Sequence, residues 1–274
     1  ERSPELLTGG PRDQVPRLQS IHAAIAWSYD LLDADEQAAF RALAVFVDGF
    51  TLEAAEIVLQ TSLGLDADDV LDVVSSLIDK SLIVLTAHGG AVSRYSMLFT
   101  IRGFASMELE RSEASESVHR AFIAWVQEFA LRGADSYRHG SSSDQYTWIA
   151  RLERERGNWR AALSWLHEHG PAEDLERLVT NLSGFWYVRG PIPEGRFWFA
   201  RAIAPDGTTP PEVHLAALMT KGIVDHYGGH DADAIATLER GLAMEIDPPH
   251  HWWRGNCHMM LGITRTGLGE YARA

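Results

Sequence analysis

The chain has 274 residues, 46% of them hydrophobic and 23% charged, with a formal net charge of -14. That is an ordinary globular profile, long enough for one large domain or two smaller ones with real cores, and its acidic balance repels nucleic acid and anionic lipid. Cys257 is the single cysteine, so no internal disulfide can form, which points to the cytoplasm, and no run of about 18 apolar residues is present, so no membrane span is expected.

The opening residues, ERSPELLTGGPRD, lack an initiator Met and a basic-then-apolar leader and read as a fragment boundary. Residues 1–16 carry Pro4, Gly9, Gly10, Pro11 and Pro16 and read as a linker or extended arm. Helical periodicity follows: Ile21, Ile25, Tyr29 and Leu32 share a face. Asp33 with Glu36 three residues on is a capping box opening a helix from Ala34 to about Val45. Thr51 caps a short helix to about Leu59, and Asp66 caps another whose apolar stripe is Val70, Val74, Leu77 and Ile78. The period then changes. Residues 81–86 and 91–97 are β-branched and aromatic runs around His88, Gly89 and Gly90, the pattern of a hairpin. A helix from Leu98 to about Glu110 closes a winged-helix-like unit over 17–111.

Past the polar joint at Ser112–Ser115 the pattern is helical throughout. Stripes run through Val118, Phe122, Trp125, Val126 and Phe129, then Trp148, Ile149 and Leu152, then Trp159, Leu163 and Leu166. Gly222, Gly229, Ala234, Leu238 and Gly241 have the small-and-large spacing of a tetratricopeptide helix pair. Gly262, Gly269, Tyr271 and Ala274 begin it again 40 residues later, and Gly190, Gly195, Phe199 and Ala202 form a looser earlier copy. The expected fold is mainly α: a winged-helix-like unit with one small hairpin, then a tetratricopeptide-like α-α superhelical array over 112–274 that is incomplete at its C-terminus.

Two stretches, LLTGGPRDQVPRLQSIHAAIAWSYDLLDADEQAAFRALAVFVDGFTLEAAEIV (6–58) and DVLDVVSSLIDKSLIVL…RYSMLFTIRGFASMELE (69–110), resemble the segment that follows the nucleotide-binding domain in bacterial STAND ATPase transcriptional regulators, which often carry a LuxR-type or other DNA-binding domain. RLERERGNWRAALSWLHEHG (151–170) and FWYVRGPIPEGRFWFARAIA (185–204) resemble the start of their helical sensor region. The resemblance implies that the winged unit packs on an upstream ATP- or ADP-binding domain of the same protein, and that the repeats bind a protein or small-molecule inducer. It also implies that DNA is reached only through another domain. Such regulators place a Met-His-Asp triplet after the wing, its His sensing the nucleotide phosphate. Here Met97, Leu98 and Phe99 stand in those positions. Neither Leu98 nor Phe99 can donate to a phosphate, so nucleotide sensing by this unit does not follow from the resemblance.

No G-x-x-x-x-G-K-[ST], G-x-S-x-G or H-E-x-x-H run occurs, so neither an enzyme nor a cofactor site is expected within this segment. His250, His251, Cys257 and His258 have spacings that could approach a metal, but no carboxylate completes the set, and helix packing is the preferred reading. DNA binding by the winged unit is the alternative function. Against it, residues 17–111 hold 14 acidic and 6 basic residues, and Asp66, Asp68, Asp69, Asp72 and Asp79 surround the would-be recognition helix. A free-standing helical-repeat scaffold is a third reading. For a partner or ligand groove the candidates are Trp186, Tyr187, Arg189, Arg196 and Trp198, where aromatic rings and arginines fall together in the first helix pair of the array.

Overall fold

The computed structural model describes residues 14–86, 93–203, 209–246 and 251–270, with side chains from residue 21 onward. The fold is mainly α, and the chain divides into two compact units, Glu1–Trp125 and Val126–Ala274. Residues 1–13 of the expected arm, the His88–Gly90 turn and His250 lie outside the described residues.

In the first unit, helix α1 (Gln14–Asp30) takes in Pro16 within its first turn, where a missing N–H costs nothing. Its buried face presents Ile25 and Tyr29. Helix α2 (Ala34–Ala42) opens on the capping box: the Asp33 carboxylate accepts from the Glu36 N–H, and the Glu36 carboxylate accepts from the Asp33 N–H. A 3-10 turn, Leu43–Val45, leads to Phe50, which exchanges two backbone hydrogen bonds of 2.8 Å with Tyr95. Helix α3 (Leu52–Leu63) is capped by Thr51 and runs one turn past the expected Leu59, to a left-handed Gly64. Helix α4 (Ala67–Asp79) is capped by Asp66. Strands β1 (Val84–Thr86) and β2 (Arg94–Ser96) pair antiparallel, Leu85 opposite Tyr95, and helix α5 (Phe99–Glu110) follows. Helix, bridge, two helices and hairpin are the order of a winged helix, with Phe50 as its minimal third strand. Gly49 makes that strand possible. Its φ is +78°, and a Cβ there would run into the Tyr95 carbonyl. The core joins Phe40, Tyr29 and Phe104, with Phe46, Phe50 and Phe122 in edge or tilted contacts beside them.

The boundary between the units falls inside helix α6 (Ser115–His139). The second unit continues with α7 (Ser142–Arg154), α8 (Arg156–His169), α9 (Ala172–Val188), α10 (Ile192–Ala202), α11 (Pro211–Tyr227), α12 (Asp231–Ala243) and α13 (His251–Gly267). Helices α11 and α12 form an antiparallel pair, since Gly222 meets Leu238 while Gly241 meets Leu215 and Leu218. A Cβ on Gly222 would lie 2.6 Å from Leu238, so the helices approach this closely only because the residue is glycine.

Helices α9, α11 and α13 follow one another side by side. Glu176 of α9 meets His214 of α11, and His226 of α11 meets Thr264 of α13, each pair 38 residues apart. The turns after α11 and α13 repeat bond for bond at a spacing of 40. Gly228 donates to Val224 and Asp225, Gly229 to His226, and His230 to Asp225. Leu268 donates to Thr264 and Arg265, Gly269 to Thr266, and Glu270 to Arg265. Gly229 and Gly269 are both left-handed.

Candidate functional site

In a winged helix the second helix of the helix-turn-helix offers its exposed face, N-terminal end first, to a partner. Here that helix is α4. Val70, Val74 and Leu77 point inward and are buried, each gaining roughly 1.5–3 kcal/mol from burial, which fixes the opposite face outward. The outward residues are Asp68, Asp69, Leu71, Asp72, Ser75 and Asp79. Aspartates in the first turn favour the helix dipole, but they place negative charge where base edges would be read.

Glu36 sets the pose of α4. Beyond its capping role, its carboxylate receives the Ser76 hydroxyl and the Lys80 ammonium from the last turn of α4. Burial pushes this carboxyl up, and the hydrogen bonds from Lys80, Ser76 and the Asp33 N–H outweigh it, leaving Glu36 below the usual carboxylate range.

Among the side chains described from residue 21 onward, each Lys and Arg of this unit has a neighbour within it, those of Arg111 and Arg120 being exposed surface pairs. Arg41 meets the Tyr29 hydroxyl, and Lys80 meets Glu36. Arg94, on the wing, donates to the carbonyls of Asp48 and Gly49 at 3.2 and 3.1 Å. Arg102 is half-buried beside Asp48, its burial lowering the guanidinium's proton affinity. Arg111 pairs with Glu108 and Arg120 with Glu116, both at 2.6 Å.

The residues at the triplet position stand at the N-terminus of α5. Leu98 is the N-cap residue, makes no side-chain cap bond and is 57% exposed, while Phe99 is 81% exposed. Met97 is half-buried.

The five groove candidates separate. Trp186 and Tyr187 are neighbours on α9, about 100° apart around the helix, and face different surroundings. Trp186 is 0% exposed, packed on Gly195, Phe199 and Trp159. Tyr187 stacks on Tyr227 at 5.4 Å with 13° between planes and meets Tyr137 edge-on at 5.3 Å. Burial, with Tyr137 and Tyr227 beside it, pushes its phenol up. Arg189 ends α9 and is exposed. Arg196 bridges the buried Asp225 at 2.7 Å and Asp233 at 2.8 Å, linking α10 to both α11 and α12. Trp198, mostly buried, lines an open cavity of about 520 Å³ with Arg160, Ser164, Pro191, Pro193, Glu194 and Phe197. The structure therefore gathers Tyr187 with Tyr137 and Tyr227 in one place and sets Trp198 in another.

Several residues here escaped the sequence reading. Phe197, with Arg201 stacked over it at 3.4 Å, gives the cavity its exposed ring. Glu194 also lines it, held below the carboxylate range because Arg160 and Arg156 outweigh the opposing effect of burial. Tyr227 carried a signal that could have found it: it lies one 40-residue repeat after Tyr187. Among the candidate metal ligands, Cys257 is buried against Gly241, and burial pushes its thiol up to about 11, while His251 and His258 face outward on the same helix.

Residues 32–110 match the family model of a winged helix-turn-helix domain. Over 194 residues the chain is 38% identical to proteins of Mycobacterium tuberculosis (strain H37Rv) and Mycobacterium bovis, each named "Putative HTH-type transcriptional regulator". The match covers 71% of this chain and 21% of each relative, so the chain spans about a fifth of the length of the curated relatives it matches. A further relative from Mycobacterium tuberculosis, named only as an uncharacterized protein, is 29% identical over 113 residues, 41% of this chain and 28% of that one. No solved structure matches the chain. Residues 32–110, from α2 through α5, are thus a winged helix-turn-helix domain, in a chain homologous to proteins named as putative HTH-type transcriptional regulators.

Proposed function

We propose that this chain is a non-catalytic relay and interaction module of a cytoplasmic transcriptional regulator of the STAND ATPase type. In this reading its winged unit docks on protein rather than on DNA. The observation that carries the reading is the charge on that unit: an aspartate-lined α4 face, beside a wing arginine, Arg94, that donates to the carbonyls of Asp48 and Gly49. Phosphate contact requires cations facing outward, and each contact made releases counterions. The natural occupant is the upstream nucleotide-binding domain of the parent protein, which would hold the ATP or ADP. The second unit, a tetratricopeptide-like array, would take the inducer or a partner protein. Its binding would favour one docking of the winged unit over another, by no more than its difference in affinity for the two states. DNA would be reached through a different domain.

A second reading, direct DNA binding, is favoured by the winged helix-turn-helix match and by the names of the relatives. One experiment separates the two. The 274-residue protein is titrated into labelled duplex DNA at low salt and passed over heparin. The relay reading expects no retention and no anisotropy change. Binding that weakens steeply as salt rises would overturn it in favour of the second reading.

A further inference from the structure

The open cavity of about 520 Å³ in the second unit is built by two helices. Arg160 and Ser164 stand one turn apart on α8, and Phe197 and Trp198 share a face of α10 with Glu194, a turn before them. Pro191 and Pro193, at the start of α10, add rings whose φ is fixed and which offer no N–H. The charged groups of this surface are committed to one another. Both carboxylate oxygens of Glu194 receive N–H groups of Arg160, and one of them also receives Arg156. A ligand charge set upon this pair would have to break it. What remains is apolar: the proline rings, the edge of the buried Trp198 and the ring of Phe197, which is 46% exposed.

Beside that ring stands a cation that the fold does not neutralise. Arg201, one turn after Phe197, stacks its guanidinium over the ring at 3.4 Å and donates to the Phe197 carbonyl at 3.3 Å. Among the described residues no carboxylate meets it. A guanidinium stacked through its face keeps donors in its plane, so Arg201 holds the ring and still offers N–H groups to an acid. In a chain of net charge -14, this hollow attracts an acid where the molecule as a whole repels one.

We propose that the cavity between α8 and α10 is a peptide-docking site that takes one apolar side chain, phenylalanine or leucine, of an extended partner segment, with an acidic residue beside that anchor meeting Arg201. The cavity is open to solvent and covers its occupant on one side, which suits a side chain carried on a longer chain; sites for small molecules enclose most of the ligand's surface. The inference rests on the reading of the second unit as the part that takes the partner, and it gives that partner a place and a chemistry. Of the residues grouped from the sequence as a groove, Trp198 alone lines this site.

The test is a panel of short immobilised peptides, each with phenylalanine, leucine or alanine at its centre and with acidic, uncharged or basic flanks, probed with the labelled 274-residue protein. Acid-flanked phenylalanine and leucine peptides are expected to bind, and alanine at the centre to weaken binding roughly tenfold. Phe197→Ala in the protein should weaken it by a similar factor. Arg201→Glu should move the preference from acidic to basic flanks, a change that loss of fold would not produce. Arg240→Glu, at an exposed position of α12 outside the cavity, should leave the pattern unchanged. Circular dichroism melts check that each variant is folded, as substitution at exposed positions allows. Binding that follows flank charge alone, or that survives both cavity substitutions, overturns this site and leaves the second unit a partner-binding unit by some other face. Absence of binding overturns it as well, while the DNA titration still decides separately between the relay and DNA-binding readings.

Discussion

Helix α4 of the first unit and helix α13 of the second have similar inner faces. Val70, Val74 and Leu77 bury one, and Cys257, Met260 and Leu261 the other. Their outer faces differ. That of α4 carries aspartates around a lone Leu71, whereas that of α13 carries Trp252, Met259 and Ile263. A charged face is stable in water and selects its partner by sign and distance, with little desolvation gained on contact. An apolar face gains most by being covered, in proportion to the area removed from water. Within the second unit α11 and α13 meet through apolar residues, while the first closes on its own core and presents charge.

The sharpest way to break this comparison is at Trp186, where a groove and a packed repeat make opposite claims. A ring lining a groove could be removed with loss of ligand and little loss of stability. Trp186 is fully buried between α9 and α10, so Trp186→Ala is expected to cost about 4 kcal/mol, read as a fall in the urea midpoint of the second unit. A cost under about 1 kcal/mol would mean that the repeat core does not depend on this ring.

The next effect in size tests how the first unit holds α4. Glu36→Gln removes the charge that Lys80 and Ser76 share and should cost about 2 kcal/mol at neutral pH by urea denaturation. Because the Glu36 carboxyl titrates lower in the folded chain than its ordinary value of 4.5, its contribution is present above that pH and lost as pH falls below it. The difference between wild type and variant should therefore shrink on acidification. A difference that stays constant down to the acid transition would place the effect in packing and not in the ion pair.

These two residues also mark where the sequence was legible. The Asp33–Glu36 box is a local pattern, three residues apart, and could be read directly. The second role of Glu36 joins it to residues 40 and 44 positions on, a pairing that no local spacing encodes. The order of helices and hairpin in the first unit followed from period and caps. The site in the second unit did not. Trp186, Tyr187 and Trp198 were grouped by proximity along the chain, but helix rotation sends Trp186 into the core, and Tyr187 finds its partners on α6 and α11. Arg196 read as a ligand cation, because its acids, Asp225 and Asp233, lie 29 and 37 residues away. The repeat period was the usable signal: it pairs Tyr187 with Tyr227 and Met219 with Met259.

The smallest expected effect concerns the junction that delivers the chain from α4 to the wing. Ser81 has φ of +59°, the one described non-glycine residue in the left-handed region. Its N–H reaches the Ile78 carbonyl at 2.8 Å and that of Leu82 reaches Leu77 at 2.9 Å, bonds that finish the helix and aim the next residues at β1. A side chain in that region costs about 1 kcal/mol against the following carbonyl, a cost glycine avoids. Part of the gain is returned because glycine also loosens the unfolded chain. Ser81→Gly should therefore raise stability by about 0.5 kcal/mol, measured as a small upward shift of the urea midpoint with unchanged slope. A loss instead would mean that the serine side chain itself holds the turn, and that the aim of the wing depends on it as well as on the backbone bonds.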